Sequence, residues 1–382
     1  MTSADEHLDR MGGPELIAWH YHNGPHRSAA NYLTLYRDLL VRGLSSTRLI
    51  YLDTNYWVRL RDAATGKGSS EAVKLLKTLR ALVRSREALC VSQIFSLLEV
   101  GKQEAASLRA SADLLDELTE GVAISSSEDL LQWECAEFIK ATIQRDVGQG
   151  LCPWTKVGQI HKNELPTEML GPIPISQREI VLKAAIDFFW NASFTYVLEC
   201  FEWDTKARLS FELDAETFDL VAKRKAEQLA KGLTRAQVRL SEFSELVSGS
   251  AKPVFIDLLH RWHLARGFPE GMGALLSDVE AAVRTAIQGF ADRSLGAKLP
   301  GLAITTELYS IYETDTLGSK PMSTNDWFDS CHAAAALPYC DVFLTERGLA
   351  HRLRQMLKAD VQYGCEVVGT LEGALQLFHP VP

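Results

Sequence analysis

Two short apolar runs at opposite ends of the chain each stop at an acid, and this pattern constrains the fold more than any other. Leu49, Ile50, Tyr51 and Leu52 form a β-favouring run that ends at Asp53. Val342, Phe343 and Leu344 form another, followed at once by Thr345 and Glu346. Unbroken apolar runs of this length suit strands buried on both faces. EALCVSQ reads as a further short strand, and CEVVGTLEGALQLF as a strand and a helix. Helical patterns separate these runs, among them Ser70 to Arg84, IFSLLEVGKQEAASLRASADLLDEL, DWFDSCHAAAAL and RGLAHRLRQML. Strand alternating with helix at both ends of the chain predicts an α/β domain with a parallel sheet flanked by helices.

The middle of the chain has a different texture. Residues 106–298 carry long helical patterns, such as DLLQWECAEFIKATI and REIVLKAAIDFFWNASFTYVLECF, and almost no strand pattern. LCPWTKVGQIHKNELPTEMLGPIPIS reads as a loop, with Pro153, Pro166, Pro172 and Pro174. The expected organisation is a helical extension over 1–45, ended by Gly43, a first α/β part over 46–105, a large all-helical insertion over 106–298, and a second α/β part over 299–382.

Composition adds limits. With 382 residues, 46% of them hydrophobic, the chain can bury a sizeable core. Its seven cysteines are scattered and form no CxxC pair, so reduced thiols are expected rather than a zinc ribbon. The first residues carry acids and no apolar core, and no run approaches the ~18 apolar residues of a membrane span. A cytoplasmic protein without a membrane partner is the expectation. The formal charge of −9 counts against a nucleic-acid partner, but binding needs only a local basic patch. Arg59 to Arg86 and Lys223 to Arg239 are the two candidates, each also readable as a solvated helix face.

In an open parallel sheet, functional groups gather beyond the carboxyl ends of the strands. Asp53 and Glu346 stand at such positions. Asp326, Asp329 and His332 recur every three residues, so one helix face carries two carboxylates and an imidazole. Glu99 lies on the helix after the second strand. Gathered carboxylates raise one another's pKa, and a fold that collects several of them calls for a cation. Hard oxygen ligands of this kind suit Mg²⁺ or Mn²⁺.

LIYLDTN, the Glu of FSLLEV, and NDWFDSCHAAAALPYCDVFLTE resemble the motifs of PIN-domain nucleases. The resemblance covers residues 48–103 and 300–382 and leaves the middle unmatched. Its most specific part runs from Asn325 to Glu346. It implies a PIN-like parallel sheet interrupted by the helical insertion. It implies that Asp53 and Asp329 are metal ligands, and that Glu99 is a ligand or orients the attacking water. Asp326 would replace or supplement Asp329. Glu346 matches the family's last acid, although many members place Asp there or one position later, where this chain has Arg347. Thr54, Asn55 and Thr345 would hydrogen-bond a carboxylate or water around the ligands, and His332 would bind a phosphate or orient a ligand. The activity implied is metal-dependent endonucleolytic hydrolysis of a phosphodiester, with RNA as the expected substrate, water activated by Mg²⁺ or Mn²⁺, and room for a protein inhibitor or regulator. A non-catalytic PIN-like scaffold for RNA or protein, and a phosphatase acting on a small phosphoester, are the alternatives.

Plainer readings apply to several residues. Asp53 and Asp326 are good helix caps, and Glu99 and Glu346 could be ordinary surface acids. His20, His22 and His26 read as a loop of aromatic and histidine residues rather than a metal set. His260 and His263 read as an interior helix face. Phe188, Phe189, Trp190, Phe194 and Tyr196 read as core. No phosphate-binding glycine loop is present.

Overall fold

The computed structural model describes residues 13–23, 27–148, 150–160, 173–200, 223, 226–228, 230–267, 272–293, 298–314 and 323–378. In chain order the strands are β1 (Arg48–Leu52), β2 (Ala88–Val91), β3 (Val122–Ile124), β4 (Trp154–Lys156), β5 (Val342–Leu344) and β6 (Glu366–Val368). The four-stranded sheet has the order β2-β1-β5-β6. β1 pairs with β2 in parallel, Ile50 opposite Cys90, and β5 pairs with β6 in parallel, Phe343 opposite Val367. The chain is therefore α/β, with a parallel sheet flanked by helices. No helix among the described residues is long and apolar enough to cross a membrane.

The chain divides into two compact units. One comprises residues 1–126, 152–209 and 374–382, and the other residues 127–151 and 210–373. The first unit holds α1 (Gly13–Asn23), α2 (Ala29–Leu44), α3 (Thr54–Ala64), α4 (Ser70–Arg84), α5 (Ile94–Val100) and α6 (Ala105–Thr119) around β1 and β2. The second begins with α7 (Ser127–Ile143); the chain then returns to the first unit for β4, α8 (Ile175–Asn191) and α9 (Phe194–Cys200). The second unit continues with α10 (Arg235–Leu246), α11 (Lys252–Ala265), α12 (Met272–Ala291), α13 (Pro300–Thr314), α14 (Thr324–Ala336), α15 (Arg347–His351) and α16 (Ala359–Tyr363), and α17 (Leu371–Phe378) closes the chain.

Local chemistry explains these elements. Every residue of β1 after Arg48, and every residue of β2, is buried, as the unbroken apolar runs require. Helix α4 starts at Ser69, whose hydroxyl accepts the Ala72 N–H, and buries Leu75, Leu76, Leu79 and Val83 on one face. Its Lys74, Lys77 and Arg84 lie on the exposed face. Asp116 accepts the Phe194 and Thr195 N–H groups at 2.6 and 3.0 Å and so caps α9 from α6. Gly158 is required where a tight turn meets α8, because a Cβ there would lie 2.0 Å from the Phe189 carbonyl oxygen. The second unit is cored by Phe138, Phe243, Phe255, Leu259 and Val279, with Phe243 and Phe290 stacked at 3.8 Å.

Several expectations need correction. The region 106–298 is not all-helical, because β3 and β4 pair antiparallel within it, Ala123 opposite Thr155. β4 lies inside the stretch expected as loop. It was concealed by Pro153 just before it, which argued for a loop. The helix expected to run on from Ile94 breaks at Gly101, which caps α5, and restarts at Ala105. His20 and His22 lie on α1 rather than in a loop, and His260 is exposed rather than interior. His20 is buried, with its Nε2 2.6 Å from Asp187, whose other oxygen accepts from the Tyr32 and Tyr36 hydroxyls. His26, Pro166 and Pro172, and Arg224, Lys225 and Leu229 of the Lys223 to Arg239 stretch, lie outside the described residues.

Candidate active site

The expected site residues fall into two sets, one in each unit. In the first, Asp53 directly follows β1 and is 4% exposed. Its Oδ1 accepts the Tyr56 N–H at 3.1 Å, so the residue caps α3 as well as ending the strand. Thr54 follows, and its hydroxyl donates to Oε2 of Glu99 on α5. Strand end and helix are thus tied by a hydrogen bond to a carboxylate, a strong type. Asn55 is exposed on the first turn of α3. Tyr56 stands beside Asp53 with its hydroxyl buried and unbonded. Burial, and then the Asp53 charge, raise its pKa, while Arg59 lowers it.

The second set is built on α13, α14 and the segment after β5. Ser323 and Asp326 form a reciprocal capping box: Asp326 Oδ2 accepts from the Ser323 N–H at 2.9 Å and from its hydroxyl at 2.6 Å, while the Asp326 N–H donates to Ser323 Oγ at 3.2 Å. Asp326 is therefore a helix cap, and this use takes up one of its carboxylate oxygens. Asp329 lies one turn further along α14, and its Oδ2 is 3.9 Å from Nη1 of Arg352. His332, a turn beyond, is buried. Glu346 precedes α15 and does not cap it through its side chain. Between Leu344 and Glu346, the Thr345 hydroxyl is buried without a hydrogen-bond partner, although its N–H donates to the Val368 carbonyl at 2.9 Å.

Tyr312 on α13 reports how these groups gather. Burial raises its pKa most, Arg352 lowers it, and Asp329, Asp326 and Glu346 each raise it. Arg352 covers the same ring at 4.9 Å and donates to its hydroxyl at 3.4 Å. Neither Tyr312 nor Arg352 was singled out from sequence. The only signal was the recurrence of polar aromatic residues along the apolar α13 pattern, which reads equally well as core.

Donor chemistry fits a hard divalent cation. Asp53 and Glu99 offer oxygens in one unit, Asp326, Asp329 and Glu346 in the other, and the unbonded Thr345 hydroxyl lies beside the last of these. Mg²⁺ needs only one or two protein carboxylates when substrate phosphate supplies the rest. Among the described residues, no three His, Cys, Asp or Glu side chains are already arranged as a ligand set.

The two basic stretches differ. Arg61 is held by Asp62 and Gln103, both at 2.6 Å, and Arg80 by Glu117 at 2.7 Å. Arg59, Lys67, Lys74, Lys77, Arg84 and Arg86 are exposed. Arg235 and Arg239 are instead paired with Glu307, and Arg239 also stacks on Phe290 at 4.4 Å, so these two serve packing, while Lys223 and Lys231 are exposed. No protein-family model, curated protein or solved structure matches the chain.

Proposed function

We propose that the chain is a metal-dependent phosphodiester hydrolase of the PIN-like type that cleaves RNA. The observation that carries this reading is the placement of Asp329 beside the Arg352 guanidinium, which also covers the Tyr312 ring. The Thr54 bond to Glu99 beside the strand-end Asp53 supports it from the other unit. Asp329, Glu346 and the remaining oxygen of Asp326 are the donors offered by the second unit, and Asp53 and Glu99 those offered by the first. When bound, Mg²⁺ or Mn²⁺ lowers the pKa of water and withdraws charge from the scissile phosphate. Thr54 fixes the rotation of the Glu99 carboxylate. Arg352, a planar cation beside Asp329, offers paired donors to a phosphate oxygen. The exposed face of α4, with Lys74, Lys77 and Arg84, binds the RNA backbone through its charge.

The test is cleavage of a mixed panel of single-stranded RNA and DNA with Mn²⁺, comparing wild type, Asp53→Asn and Asp329→Asn. Metal-dependent RNA cleavage lost in both variants, with folding intact by circular dichroism, is the expected result. Equal cleavage by all three proteins would place the activity elsewhere. No cleavage of any substrate, together with no Mn²⁺ binding by calorimetry, would overturn the reading in favour of a scaffold.

A further inference from the structure

The second unit contains a cavity of about 420 Å³ that belongs to neither carboxylate set. Its buried floor is Glu134 of α7, its walls include the rings of Trp133, Tyr339 and Tyr363, and Glu137 and Lys298 stand exposed at its rim. Tyr339 precedes β5, whereas Glu346 follows it, so the cavity opens near the amino end of the strand whose carboxyl end carries the acid. Glu134 accepts the Tyr339 hydroxyl at 2.5 Å and the Gly301 N–H at 3.1 Å on both oxygens. All these donors are neutral. Burial is the leading influence on this carboxyl, and it pushes the pKa up to about 7 against the pull of those hydrogen bonds. A carboxylate buried without a countercharge is costly, and such groups concentrate where a ligand supplies what the fold omits. Trp133 and Tyr339, which meet edge to face at 5.6 Å, both line the cavity, and aromatic rings attract cations. The volume lies within the range of small-ligand sites, roughly 300 to 1,000 Å³.

We infer that this cavity binds a small organic cation of the ammonium class, its charge directed at Glu134 and its carbon groups against Trp133 and Tyr339. This inference does not depend on the nuclease reading. Binding requires the ionised carboxylate, so the cation displaces a proton.

The test is isothermal titration calorimetry of the full chain with choline, against 3,3-dimethylbutan-1-ol as its uncharged isostere. Choline is expected to bind with a Kd on the order of 1 mM and the alcohol at least tenfold more weakly. In wild type the choline affinity should fall about tenfold from pH 8 to pH 6, as Glu134 takes up its proton. Near pH 7, titrations in phosphate and Tris buffers should differ by the heat of the displaced proton. Glu134→Gln should lose the preference for choline and its pH dependence, and the exposed Glu137→Gln should retain both. Equal affinity for the two probes, a pH-independent choline affinity in wild type, no choline binding at ten times the expected Kd, or competition by inorganic phosphate would each overturn the inference. The pH series on wild type decides the matter even where Glu134→Gln unfolds.

Discussion

Replacing Glu134 by glutamine isolates the cost of ionising a carboxylate that folding strips of water. The side chain is 3% exposed, so its desolvation is not relieved by bulk solvent. Its pKa moves from an ordinary 4.5 to about 7 on folding. Between those values the folded protein holds a proton that the unfolded chain has released, so stability falls as pH rises. Each pH decade is worth about 1.4 kcal/mol, which makes the whole loss about 3 kcal/mol. The loss begins near pH 4.5 and is complete just above pH 7. Glutamine keeps an oxygen for the Tyr339 hydroxyl and does not titrate. The free energy of the variant relative to wild type should therefore rise by about 3 kcal/mol from pH 4 to pH 8, whatever its offset at pH 4. Urea unfolding followed by tryptophan fluorescence at pH 4, 5, 6, 7 and 8 measures this. A constant difference across the series, or a wild type that gains on its variant as pH rises, would refute the claim that desolvation governs this group.

Thr54→Val removes the hydroxyl that donates to Glu99, and should lower Mn²⁺-supported RNA cleavage about tenfold while Thr54→Ser retains it, a loss in line with one hydrogen bond to a charged group. Substituting Lys74 and Lys77 together by Gln should weaken RNA binding and reduce the slope of log affinity against log salt by about two, measured by fluorescence anisotropy. Phe243→Ala, which opens the stack with Phe290 and the surrounding core, should cost roughly 3 to 5 kcal/mol in urea unfolding. Cys90, buried in β2 with its thiol pushed up to about 12 by desolvation, should resist iodoacetamide in the native protein at pH 8 and react on unfolding, as read by mass spectrometry.

The parallel strands were legible because burial on both faces leaves a plain mark in sequence, and Leu49 to Leu52 and Val342 to Leu344 both carry it. The acids at their ends followed from the same pattern. β3 and β4 were not legible, because Val122–Ile124 sits between two long helical patterns that dominate the region, and Pro153 argued for a loop over Trp154–Lys156. The roles of Asp53 and Asp326 were only half legible. Each was a recognisable cap or ligand from sequence, and the geometry shows the cap in both, with Asp53 bound to the Tyr56 N–H and Asp326 to Ser323. Arg352 and Tyr312 could not be found by spacing, since their approach to Asp329 depends on how α13 packs against α14. Glu134 was hidden for a related reason. QWECAEF reads as an amphipathic helix, and nothing in it says that Gly301 and Tyr339, far along the chain, will close over the carboxyl.

What distinguishes the acids of this chain is the kind of partner each one meets. Asp326 and Asp53 accept from backbone N–H groups, bonds that fix a helix start. Asp329 meets a charged partner, the Arg352 guanidinium, at 3.9 Å. Glu134, nearly fully buried, meets neutral donors, and no cation of the described residues pairs with it. Neutral donors lower the cost of burying that charge but do not remove it. A positive ligand would remove it, and for that reason the charge of the ligand, rather than its shape, decides what the cavity accepts.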